Sequence, residues 1–165
     1  LELEGRMARF KHVMPLVREK VKWVTEHSPE VIGGLFVRGY LQFFDEDYAG
    51  AYQWFTKAFE ASLKKSYFSV TYRGACLVRL GRLDAALEDL DLAESIFANG
   101  PVTEYWRACV YAKRGQDEKV LNSLRHLAET GFLFPNQLRD LHELRRFQSR
   151  PEVQRMIETA KIRRR

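Results

Sequence analysis

Apolar residues recur along this chain at helical spacing, and the pattern is clearest between Tyr67 and Gly100. There Gly74 and Leu77 fall on one side of a predicted helix. Ala86, Leu90 and Ala93 follow on a second helix at four- and three-residue steps, and Gly81 separates the two. Upstream, residues 8–26 form a strong helix candidate. Phe10, Met14, Val17, Val21 and Val24 run along one face, and Arg9, Arg18, Lys20 and Lys22 lie mainly elsewhere. Ser28 followed by Pro29 predicts an N-cap and a first helical position for the next helix. That helix, Leu35–Phe44, is apolar almost all round, which predicts cover on more than one side. Asn99, Gly100 and Pro101 break the chain, and Gly131 closes a later helix. Pro135–Phe147 and Pro151–Ile162 then read as two short helices. Their apolar stripes are Leu138, Leu141 and Leu144, and Val153, Met156, Ile157 and Ala160.

The central pattern repeats. A shift of 34 residues forward places Ala108 on Gly74, Tyr111 on Leu77, Gly115 on Gly81, Val120 on Ala86, Leu124 on Leu90 and Leu127 on Ala93. A shift of 35 back places Gly39 on Gly74, Ala51 on Ala86, Phe55 on Leu90 and Ala58 on Ala93. Three units follow, at 32–66, 67–100 and 101–134, each a helix, a turn and a helix. A period of about 34 residues of this kind is the mark of a helical repeat array. The small residues have a physical purpose, because helix axes that cross at about 8–10 Å leave no room for large side chains at the crossing.

The spacing resembles the tetratricopeptide repeat (TPR) family. Its unit carries a small residue in the first helix, a glycine at the turn, and small, large and small residues along the second helix. Gly74, Gly81, Ala86, Leu90 and Ala93 match one for one. The third unit has Val120 and Leu127 where alanine is usual, and the first has Glu46 at the turn, so looser packing is expected at the array's ends. The resemblance covers residues 32–134 and implies an all-α, right-handed helical solenoid of TPR-like repeats. Residues 135–165 are then expected to be capping helices and a basic tail, since each unit buries its apolar face only against a neighbour. Residues 1–31 hold the N-terminal amphipathic helix. It is expected to cap the first repeat; the alternatives are a mobile helix that folds into the groove, or one that pairs with its copy in a homodimer. Leu1 to Arg6 precede a plausible initiator, Met7, and are expected to be an appended remnant without function.

Length and composition fit one domain able to bury about two thirds of its unfolded surface. No apolar run approaches the ~18 residues of a membrane span, and the start lacks the layout of a signal peptide, so a cytoplasmic protein is expected. Cys76 and Cys109 have no metal-ligand or redox spacing and read as small buried hydrophobes. From Pro135 onward there are nine Lys or Arg against four Asp or Glu, so the net charge of +5 lies wholly in that segment. Lys161, Arg163, Arg164 and Arg165 are the candidate contacts for an anion, and nucleic acid or an anionic membrane is the alternative partner. The four histidines fall at no metal-ligand spacing, and no GxSxG or phosphate-binding GK[ST] occurs, so neither catalysis nor a cofactor is expected.

The resemblance also implies where a ligand would lie, because in TPR proteins the first helix of each unit lines the concave side. The corresponding places hold Phe36, Val37, Tyr40, Phe43 and Phe44 in unit one. Unit two supplies Phe68, Thr71, Tyr72, Ala75, Val78 and Arg79, and unit three Val102, Tyr105, Trp106, Cys109, Ala112 and Lys113. TPR domains that clamp acidic chaperone tails use Lys, Asn and Arg at five such places, which here are Phe36, Tyr40, Tyr72, Val102 and Trp106. That ligand class is rejected, and the expected partner is an apolar or amphipathic protein segment. Tyr40, Tyr72, Tyr105 and Trp106 are the expected peptide contacts, because their polar atoms tolerate a half-wet groove. Arg79 and Lys113 are expected to steer an acidic flank. Phe36, Phe43 and Phe68 read equally well as core.

Overall fold

The computed structural model describes the backbone of residues 2–28 and 31–163, and the side chains from Pro15 onward within that range. Among the described residues there are ten helices and no strand. They are α1 (Glu2–His27), α2 (Ile32–Phe44), α3 (Tyr48–Ala61), α4 (Tyr67–Arg79), α5 (Leu83–Ile96), α6 (Pro101–Lys113), α7 (Asp117–Glu129), α8 (Pro135–Asp140), α9 (Arg145–Gln148) and α10 (Pro151–Arg163). None is long and apolar enough to cross a membrane.

Helices α2 to α7 form three consecutive helix–turn–helix pairs. Each pair packs on the next, and the first helices also touch one another, α2 on α4 and α4 on α6. The turn inside each pair is the same device. Gly81 and Gly115 take left-handed backbone angles, φ 76° and 69°, and Glu46 does so at φ 62°. The next residue then donates its N–H to a carbonyl five residues back: Asp47 to Gln42, Arg82 to Leu77 and Gln116 to Tyr111, at 3.0, 2.9 and 2.9 Å. This is the glycine-type helix stop, made in the first unit by a residue with a Cβ, at a strain of about 1–2 kcal/mol.

Close approach explains the small residues. A Cβ on Gly39 would lie 2.9 Å from the Phe55 ring, and one on Gly74 would lie 3.2 Å from the Leu90 side chain and 3.4 Å from the Ala86 carbonyl. Ala51, Phe55 and Ala58, and likewise Ala86, Leu90 and Ala93, are wholly buried. So are Val120 and Leu124, with Leu127 at 1% exposure. The larger residues of the third unit are thus about as fully buried as the alanines at the matching places, although α6 and α7 approach each other over fewer residues than the helices of the other two pairs. These larger residues belong to the main core, which runs from α4 to α10.

Two boundaries differ from expectation. Ser28 does not cap α2; its N–H donates to the Val24 carbonyl at the end of α1, and α2 begins at Ile32 after Val31. Pro29 lies outside the described residues. The expected helix at Pro135–Phe147 is broken into α8 and α9, with Leu141 in extended backbone at ψ 97°. The break lets Leu138, Leu141, Leu144 and Phe147 all bury against the core, which a continuous straight helix would not achieve with one narrow stripe. Helix α10 packs on α7 through Val153, Ile157 and Ala160, as an end cap does.

At the other end, α1 starts earlier than expected and packs on α2. Arg18 donates twice to the Asp45 carboxylate, both at 2.6 Å, and Arg38 donates to the Thr25 hydroxyl at 2.7 Å. Gly34 admits Val24 so closely that a Cβ there would lie 2.9 Å from its methyl carbon. The side chains of Phe10 and Met14 lie outside the described residues.

Candidate functional site

The face formed by the first helices is aromatic, and it divides into an open end and a covered end. At the open end Tyr72 is the hub. Its ring lies 5.1 Å from Tyr40, 5.6 Å from Phe55, 5.8 Å from Phe36 and 6.0 Å from Phe43. The contacts with Tyr40, Phe36 and Phe43 are edge-to-face, the favourable arrangement for ring quadrupoles. Phe44 lies against Tyr40 at 4.8 Å and Phe68 near Phe36 at 6.4 Å. Both flank this cluster and present most of their rings to solvent, 60% and 55% exposed. Burial, and then the neighbouring Tyr40 hydroxyl, raise the Tyr72 phenol above its ordinary value, so it stays protonated.

At the covered end lie Tyr105 and Trp106, only 6% and 5% exposed. What covers them is the chain itself, in residues 132–148, a strap that runs from α7 to α10. The Tyr105 hydroxyl donates to the Phe132 carbonyl at 2.9 Å and accepts the Phe134 N–H at 2.8 Å. The Arg79 guanidinium sits 5.2 Å over the Trp106 ring and donates to Glu143 Oε1 at 2.6 Å. Lys113 Nζ approaches the same oxygen at 3.9 Å. The Glu143 side chain is 4% exposed, and its other oxygen, Oε2, has no hydrogen-bond partner. Leu138, Leu144 and Phe147 in the strap are wholly buried. At about 1.5–3 kcal/mol for each such side chain, the strap is a fixed wall and not a lid that thermal motion would lift.

Between the two ends is a cleft of about 200 Å³, lined by Tyr72, Pro101, Val102, Tyr105, Trp106, Phe132, Phe134, Gln137 and Leu141. Tyr72 thus belongs both to the open aromatic cluster and to the cleft, which makes the two parts one continuous surface.

The expected site residues are accordingly not equivalent. Tyr40 and Tyr72 lie together at the open end. Tyr105 and Trp106 are buried under the strap, more deeply than Phe68, which reverses the expected ranking of groove against core. Arg79 and Lys113 converge on Glu143 of the same chain. Phe134, Gln137, Leu141 and Glu143 were not among the expected site residues; the only signal for the strap was the stripe of Leu138, Leu141 and Leu144. In the basic segment Lys161 pairs with Glu158 at 2.6 Å, and Arg146 and Arg150 share Asp117 at 2.6 and 2.5 Å. Arg163 is exposed, and Arg164 and Arg165 lie outside the described residues.

The thiols of Cys76 and Cys109 are free and wholly buried, and desolvation raises both above their ordinary value, which makes them poor nucleophiles. Among the described residues no group of three or more His, Cys, Asp or Glu could hold a metal ion. Comparison of the chain with protein-family models, with curated proteins and with solved structures finds no match.

Proposed function

We propose that this protein is a TPR-like interaction scaffold that acts by binding and not by catalysis, and that it holds an apolar or amphipathic segment of another protein on its aromatic face. The observation that carries this reading is the position of Tyr72, which joins the exposed pair Phe44 and Phe68, through Tyr40 and Phe36, to a mainly apolar cleft. Large aromatic rings half-presented to water keep apolar area that a ligand can bury, and aromatic anchors often dominate binding energy at interfaces, at about 2 kcal/mol or more each on truncation. The five places that would hold an acidic chaperone tail carry Phe36, Tyr40, Tyr72, Val102 and Trp106, none of which offers a charged donor.

A display selection of random peptides against the folded chain tests this. Enriched sequences should carry two or three large apolar residues at helical or alternating spacing. Their affinity should fall about tenfold or more in a Phe44→Ser, Phe68→Ser double variant, whose positions are too exposed for the fold to depend on them. Failure to enrich any apolar sequence, or affinities indifferent to the double variant, would refute the reading.

A further inference from the structure

We infer that Asn99–Gly100 is a site of spontaneous covalent modification, where the Asn99 amide closes on the backbone and reopens as aspartate or isoaspartate, and that the isoaspartate form loosens the joint between the second and third units. The inference does not depend on the groove reading above.

The local structure favours the reaction at this asparagine over the other two. Asn99 is the one asparagine followed by glycine, and a glycine nitrogen is the least hindered nucleophile the backbone offers. Asn99 is exposed and left-handed, φ 58°, in the turn between α5 and α6. Its own N–H donates to Glu94 Oε1 at 2.8 Å, and among the described residues nothing holds its side-chain amide. The Gly100 N–H likewise meets no acceptor among the described residues, which is uncommon for a buried backbone group. No hydrogen bond therefore has to break before that nitrogen attacks. Asn122 differs on both counts, since it lies within α7, where the next N–H is committed to the helix, and its Oδ1 accepts from Arg125 at 2.7 Å. After Asn136, the Gln137 N–H donates to the Phe134 carbonyl at 3.1 Å.

The reaction needs no partner but water. The Gly100 nitrogen loses its proton and bonds to Asn99 Cγ; the Cγ–Nδ2 bond breaks, and ammonia leaves with that proton, closing a cyclic imide. Water then cleaves either nitrogen–carbonyl bond of the ring. Cleavage at Cγ gives aspartate. Cleavage at the Asn99 main-chain carbonyl gives isoaspartate, whose chain runs through Cβ and Cγ and is longer by a carbon.

The two products meet the fold differently. Aspartate keeps the backbone path, and its charge falls beside the N-terminus of α6, where a negative charge is favoured. Isoaspartate pushes on Gly100, which has little room to move. A Cβ on Gly100 would overlap the Tyr67 hydroxyl and lie 2.6 Å from the ring carbon that bears it. That hydroxyl accepts from the Thr103 N–H at 3.3 Å and from the Thr103 hydroxyl at 3.1 Å, and Thr103 in turn meets the Thr71 hydroxyl at 3.1 Å. Tyr67 and Thr71 lie on α4 and Thr103 on α6, so the displaced glycine presses on the polar contact that ties the two units together.

Ageing the folded full chain in mildly alkaline buffer, followed by peptide mass mapping, tests both parts. Exchange of the amide NH2 for OH should raise the mass of the Asn99 peptide by about one dalton, and isoaspartate there should accept a methyl group from an isoaspartyl methyltransferase, before either change appears at Asn122 or Asn136. An Asn99→Gly variant, which suits φ 58° and cannot form the ring, should stay unchanged at that position. The isolated isoaspartyl chain should show shifted Thr71 and Thr103 amides and a lower urea midpoint than the fresh chain, whereas Asn99→Asp should keep both. Conversion of Asn99 in urea but not in the folded chain would mean that the fold protects it, and overturns the inference. An isoaspartyl chain with an unmoved Thr103 amide and an unchanged midpoint overturns the second part.

Discussion

The two ends of the aromatic face use the same kinds of residue and have opposite fates. Tyr40 and Tyr72 in the first two units stand in a cluster whose rim, Phe44 and Phe68, faces solvent. Tyr105 and Trp106, which take the places of Phe36 and Val37 in the first unit and of Thr71 and Tyr72 in the second, are core. The strap contributes to the difference by bringing Phe132, Phe134 and Glu143 over the third unit, and Phe43 of the first unit adds an edge-to-face contact with Trp106 at 5.8 Å. A repeat position therefore fixes where a side chain points in its own unit, and the neighbouring segment decides whether that side chain is a ligand contact or a structural one.

The sharpest way to test the distinction is to truncate one aromatic from each end. Trp106→Ala removes a buried ring and the surface under Arg79, and should cost about 3–5 kcal/mol in urea unfolding. Phe68→Ala removes a ring already more than half in water, and should cost under about 1 kcal/mol while weakening peptide binding. Equal stability losses would erase the contrast between the ends.

Much of this fold was legible because the repeat signal is local. Gly74, Ala86 and Leu90 sit where helices cross, and their spacing reports that crossing without reference to the rest of the chain. The turn glycines Gly81 and Gly115 are legible for the same reason. The strap was not legible, since its conformation answers to surfaces distant in sequence. The stripe of Leu138, Leu141 and Leu144 is compatible with a continuous helix, and only the core beneath it and the Arg79–Glu143 pair, 64 residues apart, favour a break at Leu141. The candidate site failed to separate into its two ends for the same reason. The TPR resemblance implied a ligand-facing position for Tyr105 and Trp106 on the first helix of their unit but could not show what lies over them.

The first unit differs from the others in its backbone as well as in its cover, and this gives a second, smaller test. Glu46 holds a left-handed conformation that Gly81 holds without strain. Glu46→Gly should stabilise the chain by about 0.5–1 kcal/mol, after the added freedom of the unfolded state is subtracted. Gly81→Ala should destabilise by about 1–2 kcal/mol although its new Cβ meets nothing within 4 Å, so the loss is one of backbone conformation alone. If both substitutions proved neutral, the turns would be tolerant and the first unit no more strained than the second.

The smallest effect concerns the outer attachment of the covered end. The hydrogen bond from Arg150, and then the charges of Arg146 and Arg150, hold the Asp117 carboxyl below its ordinary value of 3.8. A depressed value means that the folded state prefers the ionised form, so the stabilisation is fully present above pH 3.8 and is lost as pH falls through the lower, folded value. The wild type should therefore lead an Asp117→Asn variant in urea midpoint near neutral pH, and the lead should shrink below pH 3.8 and with added salt, because the pair is exposed. A lead that stays constant down to about pH 2 would mean that the arginines do not hold this corner. The strap would then be anchored by Leu138, Leu144, Phe147 and the Arg79–Glu143 pair alone, and the two ends of the face would differ in apolar cover and not in surface charge.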